Sequence, residues 1–504
     1  MLTAAMTLDP AFRVAPVHRR TFGSFVEHMG RCVYTGIYEP GHPTADADGF
    51  RRDVADLTRE LGVTTVRYPG GNFVSGYRWE DGVGPRERRP VRRDLAWHST
   101  ETNHFGLNEF IRWTRSLGIE PMMAVNLGTR GVQEALDLLE YANHPGGTEL
   151  SDRRAAHGHP EPHGVRMWCL GNEMDGPWQV GHMTAREYGR LAARTARAMR
   201  MSDPGLELVA CGSSGSGMPT FGAWEAEVLQ ECYDAVDYVS LHAYYEEHDG
   251  DLGSFLASAT DMDHFIESVA ATADAVRARL KARKRIMLSF DEWNVWYLSR
   301  FQGEEQRTDW PTAPRVIEDR YSLADAVVVG NLLISLLRHS DRVTAASQAQ
   351  LVNVIAPIMT EPGGPAWRQT VFHPFALTAR AAAGHVLRVE PEAPLYTTER
   401  HGDAPVLDAV ATHDPGNGAA AVFAVNRSTD HPLTLDIDLR GLDAERVTEC
   451  LTLSDDDVYA TNTAEDPDRV RPRPNKDTTL SGGRLTAVLP PVSWTVIRLA
   501  TTAA

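Results

Sequence analysis

The sequence predicts an α/β protein, a (β/α)8 TIM barrel followed by a C-terminal all-β, jelly-roll-like sandwich. Two observations carry the prediction. Short strand-like runs alternate with amphipathic helical patterns eight times between about residues 22 and 350. After about residue 385 the helical periodicity stops, and short apolar runs alternate with turn-rich stretches. A doubly wound open sheet would share the first pattern, but its usual opening signature, GxGxxG before the first helix, is missing.

The eight candidate strands are 22–26 (FGSFV), 63–68 (VTTVRY), 119–125 (IEPMMAV), 165–170 (VRMWCL), 206–211 (LELVAC), 237–242 (DYVSLH), 286–291 (IMLSFD) and 343–350 (VTAASQAQ). Between them Phe50, Val54, Leu57 and Leu61 share one helical face, as do Val132, Ala135, Leu136 and Leu139. The most apolar run, Ala326 to Leu337, is too short to span a bilayer and reads as a buried core helix. Sandwich strands are read in 421–427 (AVFAVNR), 433–439 (LTLDIDL) and 485–499 (LTAVLPPVSWTVIRL). The first 20 residues carry no helix and are expected to add a strand to the sandwich. The domains expected are a barrel over 21–383 and a sandwich over 1–20 plus 384–504, joined near Ala383–Gly384.

A length of 504 residues suits a barrel plus a smaller domain. The net charge of −18 argues against nucleic acid or an anionic membrane as partner, since both would repel the chain. Five scattered cysteines make neither a disulfide framework nor a CxxC zinc site. No apolar segment follows a basic one at the start, so a cytoplasmic location is expected.

Barrel enzymes place their chemistry at the C-terminal ends of the strands, where the loops face solvent. Polar residues cluster there: Glu27–His28, Arg67-Tyr-Pro-Gly-Gly-Asn72, Asn126, Gly171-Asn172-Glu173, His242-Ala-Tyr244-Tyr245, Asp291-Glu292-Trp293-Asn294 and Gln350. Glu173 and Glu292 each follow a strongly apolar strand. Two partly shielded carboxyl groups suit cleavage of a glycosidic bond, one protonated to release the leaving oxygen and the other ionised to attack the anomeric carbon. Repulsion between like charges holds one of them protonated.

WCLGNEMDGPWQ (168–179), VRYPGGNFVSGYRWEDGVGP (66–85), LSFDEWNVWY (288–297) and AQLVNVIAPIMT (349–360) closely resemble the α-L-arabinofuranosidases of glycoside hydrolase family 51. The resemblance runs from Thr21 to about Thr360 and continues more weakly through PPVSWTVIRL (490–499). It implies a retaining double displacement with Glu173 as acid/base and Glu292 as nucleophile. It further implies that Glu27, Arg67, Asn72, Asn172, His242, Tyr244 and Gln350 surround the furanose ring, and that Trp97 and Trp296 line the entrance. Asn172 is expected to bond the sugar 2-hydroxyl, Tyr244 to orient the nucleophile, Arg67 to support carboxylates or to form a structural barrel-end ion pair, and His242 to be hydrogen-bonded behind the groups that touch the sugar. Ala243 stands where relatives often carry a larger polar residue, which bears on aglycone preference. The expected substrate is an arabinose-containing oligosaccharide of arabinan or arabinoxylan; no metal or organic cofactor is called for, and relatives are often homohexamers.

Three other signals are discounted. His157, His159 and His163 lie in a Pro- and Gly-broken stretch that reads as a solvated loop, not a metal site. Gly212 to Gly217 lacks the Lys-Ser/Thr of a phosphate loop and reads as a flexible connection. RERRPVRR (86–93) reads as a solvated face or a subunit contact. The rival activities are an endo-glucanase or xylosidase on the same barrel, and a carbohydrate-binding protein without catalysis.

Overall fold

The computed structural model describes residues 1–301 and 309–502. Eight parallel strands close into a barrel: Gly23–Phe25, Thr65–Tyr68, Glu120–Val125, Met167–Leu170, Glu207–Ala210, Tyr238–Tyr245, Met287–Val295 and Val343–Gln348. Each lies within or against one of the eight runs read from the sequence. Closure is made where Ser347 and Gln348 of strand eight register with Gly23 and Ser24 of strand one. Gly23 is obligatory at this seam, because a Cβ there would lie 2.3 Å from the Ala346 carbonyl oxygen.

The helices follow local signals. Arg52–Leu61 buries Val54, Leu57 and Leu61 and ends at Gly62, whose left-handed φ of 82° lets its N–H reach the Arg59 carbonyl. Ala185–Ser202 begins with a reciprocal cap between Thr184 and Glu187. The apolar run forms helix Leu323–Arg338, buried along nearly its whole length. It lies between barrel and sandwich. Trp494 fits against it only because residue 330 is glycine, since a Cβ there would sit 2.2 Å from the indole. Polar links cross the same seam: Asn331 donates to Asp408 at 2.7 Å, and Arg427 donates to Asn331 at 2.7 Å.

Beyond helix Phe372–Ala381 the chain is β-rich, starting at His385. A seven-stranded sheet faces a four-stranded one, and their apolar inner faces meet. In Leu433–Asp438 the buried residues Leu433, Leu435 and Ile437 alternate with more exposed ones. The head of the chain contributes two strands here, not one. Leu2–Thr7 runs parallel to Leu433–Asp438, and Arg13–Pro16 pairs with His385–Leu387.

The three discounted stretches are more ordered than the sequence suggested. His163 is buried against Asn108 at 2.9 Å, and burial pushes its pKa down to about 3; His157 bonds the Tyr141 hydroxyl at 2.9 Å. Their loop packs because Asn108 and Tyr141 offer it buried polar partners. Gly212–Gly217 is pinned, with Ser213 N–H donating to Glu225 at 2.7 Å and Ser214 N–H to Asp175 at 3.0 Å. In the basic run the Arg89 side chain is buried and makes a two-pronged contact with Glu109 at 2.9 and 3.1 Å. Composition alone hides such partners, which are distant in sequence.

Candidate active site

A cavity of about 470 Å³ opens at the C-terminal end of the barrel strands. Glu27, Asn72, Trp97, Glu173, Tyr244, Glu292, Trp296 and Gln350 line it, whereas Arg67, Asn172 and His242 stand behind its wall, buried to within 2%. Strand three departs from the expected convergence. Asn126 turns aside to bond the Tyr77 carbonyl and the Thr129 hydroxyl, each at 2.9 Å, and so braces a loop. His28 likewise faces Tyr68 at 2.7 Å and Glu101 at 2.9 Å.

Glu173 leaves strand four through a tight reversal. Gly171 has φ 93° and Glu173 itself φ 44°, a left-handed conformation that a side-chain-bearing residue adopts at a cost of about 1 kcal/mol. The turn folds the carboxyl back over the mouth. Its Oε1 is hydrogen-bonded to His242 Nδ1 at 2.9 Å, and its Oε2 accepts the Trp178 indole N–H at 2.8 Å. Trp178 can fold back this way because residue 176 has no side chain; a Cβ on Gly176 would meet the indole at 2.5 Å.

Glu292 lies on strand seven opposite His242 of strand six. The two strands register Ser240 with Ser289 and then His242 with Glu292, so strand seven carries one extra residue. In a regular strand consecutive side chains point to opposite faces. The bulge breaks that alternation and brings both Asp291 and Glu292 to one guanidinium. Arg67 Nη1 donates to Glu292 Oε1 at 2.7 Å, while its Nε is 3.8 Å from Asp291. Arg67 Nη2 donates to Asn172 Oδ1 at 2.6 Å, and Asn172 Nδ2 reaches Asn72 at a longer 3.3 Å. Tyr244 donates its hydroxyl to Glu292 Oε2 at 2.7 Å and meets Trp296 edge to face at 5.1 Å.

These contacts drive the two glutamates apart in acidity. Burial raises the Glu173 pKa, and the charge of Glu292 raises it further, against the bonds from His242 and Trp178. Burial acts the same way on Glu292 but is outweighed by the positive fields of His242 and Arg67 and the bonds from Tyr244 and Arg67, so its pKa lies below the ordinary carboxylate range. For His242, burial disfavours charge, yet the two carboxylates outweigh it and hold the pKa above its usual value.

Glu27 forms a third carboxyl group in the wall. It accepts from the Phe73 backbone at 2.9 Å, the Trp97 indole at 2.8 Å and Gln350 at 3.2 Å. Burial pushes its pKa up to about 8. Gly70 and Gly71 make room for it, since Cβ atoms there would lie 2.6 and 3.0 Å from its side chain. Trp97 is thus a fixed wall, tied to Glu27 and held by its own N–H to Asp94 at 3.2 Å.

Oxygens of Glu173 and Glu292 and a ring nitrogen of His242 lie within 4.8 Å of one another, a set of types that can ligate a metal. Here the oxygens of Glu292 are claimed by a guanidinium and a phenol, and a cation would have to displace both. The arrangement suits an acid beside an ionised nucleophile. The sequence reading gave no role to Trp178 or Asp291. Both stand in quoted motifs, but only a bulge or a reversed turn, neither visible in periodicity, brings them to the site.

Two family models match the chain: the α-L-arabinofuranosidase 1 domain over residues 57–270 and the α-L-arabinofuranosidase C-terminal domain over residues 291–493. An intracellular exo-α-(1→5)-L-arabinofuranosidase of Streptomyces lividans is 63% identical over 99% of this chain and 76% of its own length. An exo-α-(1→6)-L-arabinofuranosidase of Bifidobacterium longum is 57% identical over 98% of this chain and 97% of its own. A solved family 51 α-L-arabinofuranosidase of Bifidobacterium longum superposes with a TM-score of 0.96 at 52% identity, covering 99% of this chain and 100% of that one. The arabinose complex of the Thermotoga maritima enzyme gives 0.88 at 35%, with 99% and 100% covered. The chain therefore belongs to the α-L-arabinofuranosidases of glycoside hydrolase family 51.

Proposed function

We propose that the cavity removes terminal α-L-arabinofuranosyl units from oligosaccharides of arabinan or arabinoxylan by a retaining double displacement. One observation carries the mechanism. Glu173 and Glu292 bring carboxyl oxygens within 4.8 Å of each other, and their surroundings push the two groups toward opposite protonation states. Carboxyl oxygens this close support a retaining course, in which the two groups stand about 5 Å apart and no water fits between nucleophile and sugar.

Glu292 attacks the anomeric carbon, while the proton of Glu173 passes to the departing glycosidic oxygen. Glu173, now ionised, takes a proton from water, whose oxygen displaces Glu292 from the sugar. Arg67 and Tyr244 fix both oxygens of Glu292 and keep it ionised. Glu27, Asn72 and Gln350 offer polar groups to the furanose hydroxyls, with Asn172 behind Asn72. Trp97 and Trp296 form apolar walls.

Relatives named for 1→5 and for 1→6 linkages share the same long match. The common element is the terminal furanose, and the pocket described here is read as its site. The reading places the enzyme inside the cell, as the names of the Streptomyces lividans and Bacillus subtilis relatives do for those proteins, and in a homo-oligomer. It also divides the chain at 383/384, supported by the pairing of both head strands with sandwich strands. Hydrolysis of 4-nitrophenyl α-L-arabinofuranoside is expected to exceed that of the β-D-xyloside and of a soluble glucan by orders of magnitude. Negligible arabinofuranoside turnover would overturn the assignment.

A further inference from the structure

A second cavity, of about 740 Å³, opens beside the first on the same end of the barrel. Its walls come from the loops that follow strands two, three and four, and Leu95 is a wall of both cavities. Four arginines line it: Arg78, Arg92, Arg93 and Arg130.

The carboxylates around them are already engaged. Arg130 holds Glu80 through two bonds of 2.6 and 2.8 Å, and Arg92 holds Asp81 at 2.9 Å. Asp94 is buried and accepts the backbone N–H groups of Ala96 and Trp97 at 3.0 and 3.2 Å. Glu101, also buried, accepts from His28 at 2.9 Å and from the Asn103 backbone at 2.5 Å. Arg78 and Arg93 are exposed and have no carboxylate partner among the described residues; Arg93 lies over the Trp310 ring at 4.9 Å. Four arginines and four carboxylates line the cavity, and the two guanidinium groups left exposed without a carboxylate partner among the described residues, Arg78 and Arg93, are the ones open to an anion.

The direction of the departing chain connects the two cavities. Its oxygen must meet Glu173, whose Oε2 is bonded to Trp178. Trp178 lines the first cavity and Val180, two residues on, lines the second. A glycan that leaves past Trp178 and Leu95 would meet the arginines.

We propose that this second cavity receives a carboxylate-bearing part of the departing glycan, so that substrates carrying a uronic acid beyond the cleaved linkage are preferred. The inference rests on the arabinofuranosidase reading and deepens it. An exposed ion pair contributes little, so two arginines favour such a substrate by roughly three- to tenfold in kcat/KM. Salt screens that preference.

The test compares galacturonic acid-bearing arabino-oligosaccharides with the same molecules after reduction of the carboxyl to a primary alcohol. The ratio of kcat/KM, charged over reduced, is expected to be about three to ten at low ionic strength. It should fall toward one in roughly 0.5 M NaCl, where the screening length is only a few ångströms. It should also fall toward one in the Arg78→Ala/Arg93→Gln double variant. Each ratio is taken within one protein, so any general loss of folding cancels. A wild-type ratio near one, or a preference that survives loss of both arginines, overturns the proposal. Hydrolysis of 4-nitrophenyl α-L-arabinofuranoside, too short to reach the second cavity, is the control. If it fails, the proposed function fails; if it succeeds without a charge preference, only the uronate site does.

Discussion

Replacing Tyr244 with Phe removes one hydroxyl and one hydrogen bond, the 2.7 Å contact with Glu292 Oε2. A bond to a buried charged group is worth about 1.5–3 kcal/mol. At about 1.4 kcal/mol per decade of rate, its loss predicts a fall in kcat/KM of roughly 10- to 150-fold. Activity is not abolished, because Arg67 keeps its own 2.7 Å bond to the other oxygen. The pH profile moves as well. The Tyr244 bond is one of the interactions that hold the Glu292 pKa low. Without it that pKa rises, and the acidic limb of kcat/KM, where the nucleophile is lost by protonation, shifts to higher pH. The assay is kcat/KM for 4-nitrophenyl α-L-arabinofuranoside across pH in wild type and variant. Phe preserves the edge-to-face packing on Trp296, so the thermal unfolding midpoint should change little. A loss below about threefold, or an unmoved acidic limb, would refute the role given to Tyr244.

Three further predictions concern the acid and the third carboxyl group. Glu173→Ala is expected to lower kcat/KM on arabino-oligosaccharides by roughly 10²- to 10⁴-fold, but far less on 2,4-dinitrophenyl arabinofuranoside, whose leaving group needs no proton. Equal losses on both substrates would remove Glu173 from the acid role. Trp178→Phe deletes a donor that lowers the Glu173 pKa, so the alkaline limb of kcat/KM should move to higher pH; a limb that stays or moves down contradicts this. Glu27, with its pKa raised by burial from 4.5 to about 8, favours folding in its neutral form. That contribution is complete below about pH 4.5 and is lost as pH climbs through 8. Glu27→Gln should therefore gain thermal stability relative to wild type between pH 5.5 and 8.5, and parallel curves would exclude the effect.

Much of the barrel could be read from the sequence because its signals are local. Most strands are short apolar runs that stop where polar residues begin, as in VRMWCL before Gly171-Asn172-Glu173 or IMLSF before Asp291-Glu292. The eleven residues singled out all stand in or directly behind one cavity. What could not be read depends on geometry between distant segments. Asn126 ends its strand as Asn172 does, yet it braces a loop, because its amide is taken by the Tyr77 carbonyl and the Thr129 hydroxyl. Asp291 joins Arg67 only through a one-residue bulge. His163 disappears into the core because Asn108, 55 residues earlier, waits for it. The second head strand was missed because RVAP has too few residues to show alternation.

The pairing of Leu2–Thr7 with Leu433–Asp438 sets a timetable for synthesis. These partners leave the ribosome about 430 residues apart, which at some 5–20 residues per second is roughly 20 to 90 seconds. Until then an apolar ribbon with open backbone groups trails from a barrel that is itself unsealed until strand eight arrives. Such a ribbon is a template for pairing with a neighbouring nascent chain. Producing the sandwich from the tail alone would leave its small sheet without an outer strand, so the two ends of this chain must be made together.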